Sequence, residues 1–159
     1  MKKQAAGIIV WRPAAPEPQV LLAHFGGPYW KNKDKGAWTV FKGLAEPEDR
    51  DLLATALREF TEETGLPAPG RKALVYLGKF DSATKENHLW ALRREDFPTE
   101  IHANTFRMEW PPHSGKKQSF PEIDKVQWFT FPEAEKKIIP SLRKAIVKLK
   151  ELIENKNGD

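Results

Sequence analysis

Apolar and polar positions along this chain predict strands near both ends and one sharply bounded helix between them. Ala5–Arg12 is apolar and β-branched in its middle and reads as a first strand centred on Gly7–Trp11. It runs into a Pro-rich loop, Pro13–Pro18, and Gln19–His24 reads as its partner strand. A loop rich in Gly, Lys and aromatics, Phe25–Gly36, precedes a short strand at Trp38–Phe41 and a turn-rich connection at Gly43–Asp49. In Asp51–Thr64, Leu52, Leu53, Ala56 and Phe60 recur at helical spacing. Asp49 or Asp51 can cap that helix, and Gly65, followed by Pro67, can end it in a left-handed turn. Further strands are predicted at Leu74–Asp81, His88–Leu92 and Val126–Phe131, with Asp96–Ile123 as a long irregular stretch. Pro132–Ile138 predicts a short helix. After Pro140, a second helix places Leu142, Ile146, Leu149 and Ile153 on one face, to pack on the sheet. Strands mixed with a few helices imply an α/β (α+β) fold: an α/β/α sandwich around a mixed sheet, as one domain over 1–159.

Composition narrows the function. Of the 159 residues, 40% are hydrophobic and 30% charged, which excludes a disordered or fibrous chain. With no cysteine, disulfides, thiolate metal sites and thiol nucleophiles are excluded. Met1–Val10 lacks the long apolar region of a signal peptide, and no apolar stretch approaches membrane-spanning length. The expectation is a cytoplasmic protein, monomer or homodimer, without a membrane partner. The net charge of +4 suits a mixed solvated surface or mild attraction for polyanions, and no basic run or motif points to a stable nucleic-acid partner. His24, His88, His102 and His113 show no metal-site spacing.

The informative string is Arg58-Glu59-Phe60-Thr61-Glu62-Glu63-Thr64-Gly65-Leu66. Glu59, Glu62 and Glu63 stand at i, i+3 and i+4, on one helix face, where like charges repel. A hard divalent cation offsets that repulsion. Mg²⁺, or Mn²⁺, suits carboxylates that leave room for waters and substrate phosphates. Arg58 can pair with one carboxylate and fix its rotamer.

Gly43 through Leu66 resembles the Nudix box: Gly, five residues, Glu, seven residues, Arg-Glu, an apolar residue, any residue, Glu-Glu, any residue, Gly, and an apolar residue. Trp38-Thr39-Val40-Phe41-Lys42-Gly43 is similar to the usual lead-in, and Val126-Gln127-Trp128-Phe129 to the closing strand. The resemblance implies the Nudix α/β/α fold, metal binding by Glu59, Glu62 and Glu63, and hydrolysis of a nucleoside diphosphate linked to another group. Two features depart from the pattern. Fourteen residues, Leu44 to Leu57, separate Gly43 from Arg58 where the family has thirteen, and Phe41 stands where Pro is common. The first box Glu falls on Asp49 counting forward and on Arg50 counting back, leaving Glu48 or Asp49 as its substitute.

The chemistry implied is charge neutralisation of a diphosphate by metal, with Glu62 or Glu63 as ligand or base. Glu122, shortly before the closing strand, matches the place of an extra catalytic or metal-binding Glu in many similar enzymes. Lys42, beside Gly43, and Arg58 are candidates for phosphate contact. Trp30, Trp38 and Trp110, in or beside loops, are candidates for base stacking, with core packing as the alternative. The segments His24–Pro28 and Asn104–Gly115 are expected to border the pocket. A competing reading is a Nudix-fold module that binds or senses a nucleotide without cutting it.

Overall fold

The computed structural model describes residues 1–157. Its elements are β1 (Lys3–Arg12), β2 (Gln19–Phe25), β3 (Trp38–Thr39), β4 (Phe41–Leu44), α1 (Leu52–Thr64), β5 (Leu74–Asp81), β6 (Lys85–Arg93), β7 (Thr105–Glu109), β8 (Lys117–Pro121), β9 (Ile123–Thr130), α2 (Phe131–Lys137) and α3 (Arg143–Asn157). A seven-stranded sheet runs β3-β2-β1-β6-β5, with β4 added to β1 and β9 to β2. The β1–β6 pair is parallel and its neighbours are antiparallel, so the sheet is mixed as expected.

The sheet splits in a way that matters for function. Only the end of β1, Val10–Arg12, pairs with β2. Its earlier part, Ala5–Ile8, pairs with β4, while Ala23 and His24 of β2 pair with β3. The segment from Trp38 to Leu44 therefore leans first on β2 and then on β1, crossing the gap where those two strands diverge. Gly7 makes this possible, because a Cβ there would overlap the Phe41 carbonyl and the Lys42 side chain.

Strand alternation sends side chains to two cores. Ile9, Val20, Leu22, Leu89 and Phe129 pack with Ala134 of α2 and with Ile146, Leu149 and Ile153 of α3. Ile8, Val10, Leu21, Ala23 and Phe41 pack with Ala56 and Phe60 of α1 and with Phe97. Helices thus cover both faces, giving the three-layer sandwich.

Several boundaries move from their expected places. β6 begins at Lys85 and β9 at Ile123. α2 begins at Phe131 behind a capping box of Thr130 and Glu133, and Pro140–Leu142 forms a short 3₁₀ turn before α3. The larger correction is in 96–123, expected to be irregular: β7 and β8 pair there as a hairpin outside the main sheet. Their residues are mostly exposed, so little apolar alternation marks them, and the Phe106–Phe120 ring pair at 6.0 Å is the main apolar contact across them. No helix among the described residues is long and apolar enough to cross a membrane.

Phe60 is fully buried and meets Phe41 edge-on at 5.7 Å. Phe60→Ala is expected to cost about 3–5 kcal/mol of stability, read as a fall in the urea midpoint with an unchanged slope.

Candidate active site

α1 gathers the acidic side chains because its other face is committed to the core. Its start is set by Asp51, whose side chain accepts from the Ala54 N–H at 2.7 Å. Its end is set by Gly65, left-handed at φ 76°. With Ala56 and Phe60 buried against the sheet, Glu59 and Glu63 are turned toward β4. A Cβ at Gly43 would overlap the Glu59 carboxylate, so the bare glycine backbone is what lets Glu59 lie there. The Lys42 N–H donates to Glu63 Oε1 at 3.2 Å. Glu63 is only 5% exposed. Burial pushes its carboxyl well above the usual range, and the charges of Glu59 and Glu122 push the same way. Burial also raises Glu59, against the Arg58 hydrogen bond and with help from Glu62 and Glu122. Glu122 is raised by desolvation and by Glu62. The four carboxylates therefore share one field, although Glu122 comes from the bend between β8 and β9, 59 positions beyond Glu63 in the chain.

Arg58 is the counter-charge. Its Nε and Nη2 each donate to Asp49 at 2.9 Å, its Nη1 donates to Glu59 at 2.9 Å and to Glu62 at 3.2 Å, and its Nη2 also reaches the Leu44 carbonyl at 3.0 Å. These bonds use all five guanidinium N–H groups, so Arg58 positions carboxylates and has no N–H left for a phosphate. Asp49 also accepts from Thr55 Oγ1 at 2.8 Å and from the Glu46 N–H at 2.9 Å. Together these groups hold its carboxyl far below the usual range, Arg58 contributing most. Glu48 and Arg50 are exposed. Asp49 is thus the acid that meets Arg58, and the extra residue is absorbed in the loop without disturbing the helix.

A cleft of about 470 Å³ opens where β1 and β2 diverge. One wall is aromatic, formed by Phe25 at the end of β2 and by Tyr29 and Trp30 of the loop after it, with Phe25 and Trp30 stacked at 4.7 Å. Phe106 and Met108 of the β7–β8 hairpin face it. Lys42, Gly43, Lys85, Glu63 and Glu122 make the charged part. The hairpin is tied to the acidic helix through backbone bonds: Asn104 N–H to the Glu62 carbonyl at 3.1 Å and Glu122 N–H to the Asn104 carbonyl at 2.9 Å. Of the three candidate tryptophans, Trp30 lines the cleft. Trp38 does not: it is 2% exposed, packs edge-on against Phe129 and donates its indole N–H to Asp34, which is in turn paired with Lys137. Core packing is its role, and its proposed stacking on a base is withdrawn. Trp110, past the end of β7, lies outside the cleft lining. Phe106 and Met108 belong to the Asn104–Gly115 segment expected to border the pocket, whereas Lys85 and Tyr29 were not anticipated from the sequence. The alternation Phe106-Arg107-Met108-Glu109 was the available signal for the first pair.

The NUDIX domain family matches residues 1–149 of the chain. The chain belongs to the Nudix family. An uncharacterized Nudix hydrolase, NudL, of Yersinia enterocolitica is 33% identical over 79 residues, which is 50% of this chain and 40% of that protein, so the match spans well under half of the relative's length. Among solved structures, a binary complex of a C. elegans Ap4A hydrolase superimposes with a TM-score of 0.61 at 18% identity, covering 96% of this chain and 98% of that one. The NUDIX domain of Shewanella oneidensis NrtR, complexed with ADP ribose, gives 0.64 at 13% identity over 96% and 89%. At such identities these two likenesses establish the fold alone.

The Nudix box side chains fit a hard divalent cation on chemical grounds. They are all oxygen donors, two of them are desolvated, and they repel one another, so a cation between them relieves a standing cost. Among the described residues no three metal-capable side chains converge as a ready cage. A bound Mg²⁺ would take waters and phosphate oxygens for the rest of its shell.

Asp49→Ala is expected to cost about 2 kcal/mol in urea unfolding, while Glu48→Ala stays within about 0.5 kcal/mol of the parent. Because the folded-state carboxyl of Asp49 is depressed, its contribution is complete above about pH 4 and declines as the pH falls further. The gap between the parent and Asp49→Ala should close in the same window.

Proposed function

We propose that this Nudix protein is a metal-dependent pyrophosphohydrolase, cleaving a phosphoanhydride bond in a nucleoside diphosphate linked to another group: a nucleoside triphosphate, a dinucleoside polyphosphate or a nucleotide sugar. The observation that carries this reading is the position of Glu63, the buried end of the acidic face of α1, beside Glu122 at the charged part of a cleft whose other wall is aromatic. The likeness in fold to an Ap4A hydrolase and to an NrtR domain complexed with ADP ribose is compatible with it.

Glu59, Glu62 and Glu63 would hold Mg²⁺ or Mn²⁺. Bound there, the ion would neutralise phosphate charge and acidify a bound water. The chain's own groups do the rest. Arg58 keeps Glu59 and Glu62 in place and, through Asp49, fixes the loop before the helix. Glu63, buried and held by the Lys42 N–H, and Glu122, from the opposite side, are the candidates to take a proton from water. Trp30 offers a flat apolar surface to a base, braced by Phe25. Lys42 and Gly43 border the phosphates. The protein is expected to act on small-molecule nucleotides, as a monomer or homodimer in the cytoplasm.

Incubation with a nucleotide panel, with and without Mg²⁺ or Mn²⁺, followed by chromatography of the products, tests the reading. Cleavage only with metal is expected, and Glu63→Gln should lower kcat by at least about a hundredfold with the circular dichroism spectrum unchanged. Metal-independent turnover, or full activity in Glu63→Gln, would overturn the mechanism. Thermal stabilisation by a nucleotide without products would identify a binding module instead.

Trp30→Ala is expected to weaken nucleotide binding by about 1–3 kcal/mol in titration calorimetry, and Trp110→Ala to leave it within a factor of about two.

A further inference from the structure

Two cations of the cleft stand without an ion-pair partner among the described residues. Lys42 of β4 and Lys85 at the start of β6 both line it, and neither forms an ion pair among the described residues, where Lys79, Arg58 and Lys137 each do. Both are partly buried. Burial, and next the charge of Lys85, hold the Lys42 ammonium below the usual lysine range, while Glu63 and Glu59 oppose that shift. Two like charges thus share one cleft in a partly desolvated place, an arrangement that costs stability until an anion joins them. The backbone fixes the pair. Gly7 admits Lys42 against β1, and Lys85 is anchored by a turn in which its N–H donates to Ser82 Oγ at 3.1 Å and its carbonyl accepts from the Ser82 N–H at 2.9 Å. A third polar group of the cleft is also unpartnered: the Thr39 hydroxyl, on a residue only 4% exposed.

We propose that Lys42 and Lys85 form a subsite for a further phosphate of the substrate, so that this protein prefers nucleotides carrying phosphate beyond the bond attacked over nucleoside diphosphates joined to a neutral sugar. The inference deepens the hydrolase reading and rests on it for the word substrate. Its physical core, an anion seat opposite the acidic helix, is a statement about binding. A sugar hydroxyl presented to two ammonium groups leaves their charge uncompensated. A phosphate oxygen forms charge-assisted bonds to both. Selection would then come from phosphate count more than from base identity, because the part of the cleft facing the base is aromatic and apolar.

The test is titration calorimetry in Mg²⁺ with two ligands: a nucleoside triphosphate analogue with non-cleavable methylene bridges, and a nucleoside diphosphate glucose. The parent should bind the triphosphate analogue at least about tenfold more tightly. Lys85→Met should reduce the preference to within about twofold by weakening the triphosphate analogue alone, and Lys85→Arg should retain it. Thermal melting of both variants, expected to match the parent, checks the fold, and Lys85→Arg keeps the comparison decisive if Lys85→Met unfolds. Equal affinity of the parent for the two ligands, or an undiminished preference in folded Lys85→Met, overturns the subsite. Preference without turnover of any nucleotide leaves the subsite standing and removes the hydrolase reading. Turnover without preference does the reverse.

Discussion

The structure around the candidate active site depends on one arrangement of charge: a guanidinium held among four acidic or carbonyl partners on the flank of a single helix. Without Arg58, the carboxylates of Asp49, Glu59 and Glu62 would face one another across a few ångströms, with Glu63 buried behind them. With it, the loop before α1, the helix and the end of β4 are stitched together through the Asp49 carboxylate, the two Glu carboxylates and the Leu44 carbonyl. The repulsion is reduced but persists: burial first, and then the neighbouring carboxylates, hold the carboxyls of Glu59 and Glu63 above their usual range. A site left in that condition is suited to a cation, and the proposed metal would complete what Arg58 begins.

The second constraint is the parting of β1 and β2. A continuous antiparallel pair would leave a smooth sheet face. Here the strand segment Trp38–Leu44 changes partners midway, so a cleft opens within the sheet where β1 and β2 part. The cleft inherits different chemistry from each contributor: aromatics from the end of β2 and the loop after it, cations from β4 and β6, carboxylates from α1 and the bend before β9. His24 stabilises this arrangement from below. Its ring lies between the Asp124 carboxylate, 2.9 Å from Nδ1, and the Lys33 carbonyl, 2.7 Å from Nε2, which ties the aromatic loop to β9.

The β7–β8 hairpin shows how a weakly patterned segment becomes ordered. Two short, mostly exposed strands have little independent stability. They are held because Phe106 packs over Gly27, where a side chain would collide with it, and because Asn104 bonds to the backbone of both Glu62 and Glu122. The hairpin wall and the acidic helix are thus joined directly, through the His102 N–H to the Thr64 carbonyl as well as through Asn104.

Local physics alone determined a good part of this protein. Helical spacing with an Asp cap and a terminal glycine specified α1, because caps and periodicity act within a few residues, and the same spacing placed Glu59, Glu62 and Glu63 on one face. Apolar alternation located most strands of the sheet, and the box pattern identified the family. What only the tertiary structure decided was non-local. The choice of Asp49 over Glu48 followed from which carboxylate the folded loop delivers to Arg58. The burial of Trp38 followed from the core formed with Phe129 and α2, since an indole in a loop-flanking position has no local preference for base or core. Lys85, 43 positions after Lys42, joins the site because sheet pairing brings it there, and a separation of that size leaves no periodicity to read; Glu122, 59 positions after Glu63, was a candidate only through the family resemblance, and the turn into β9 is what brings it to the cleft.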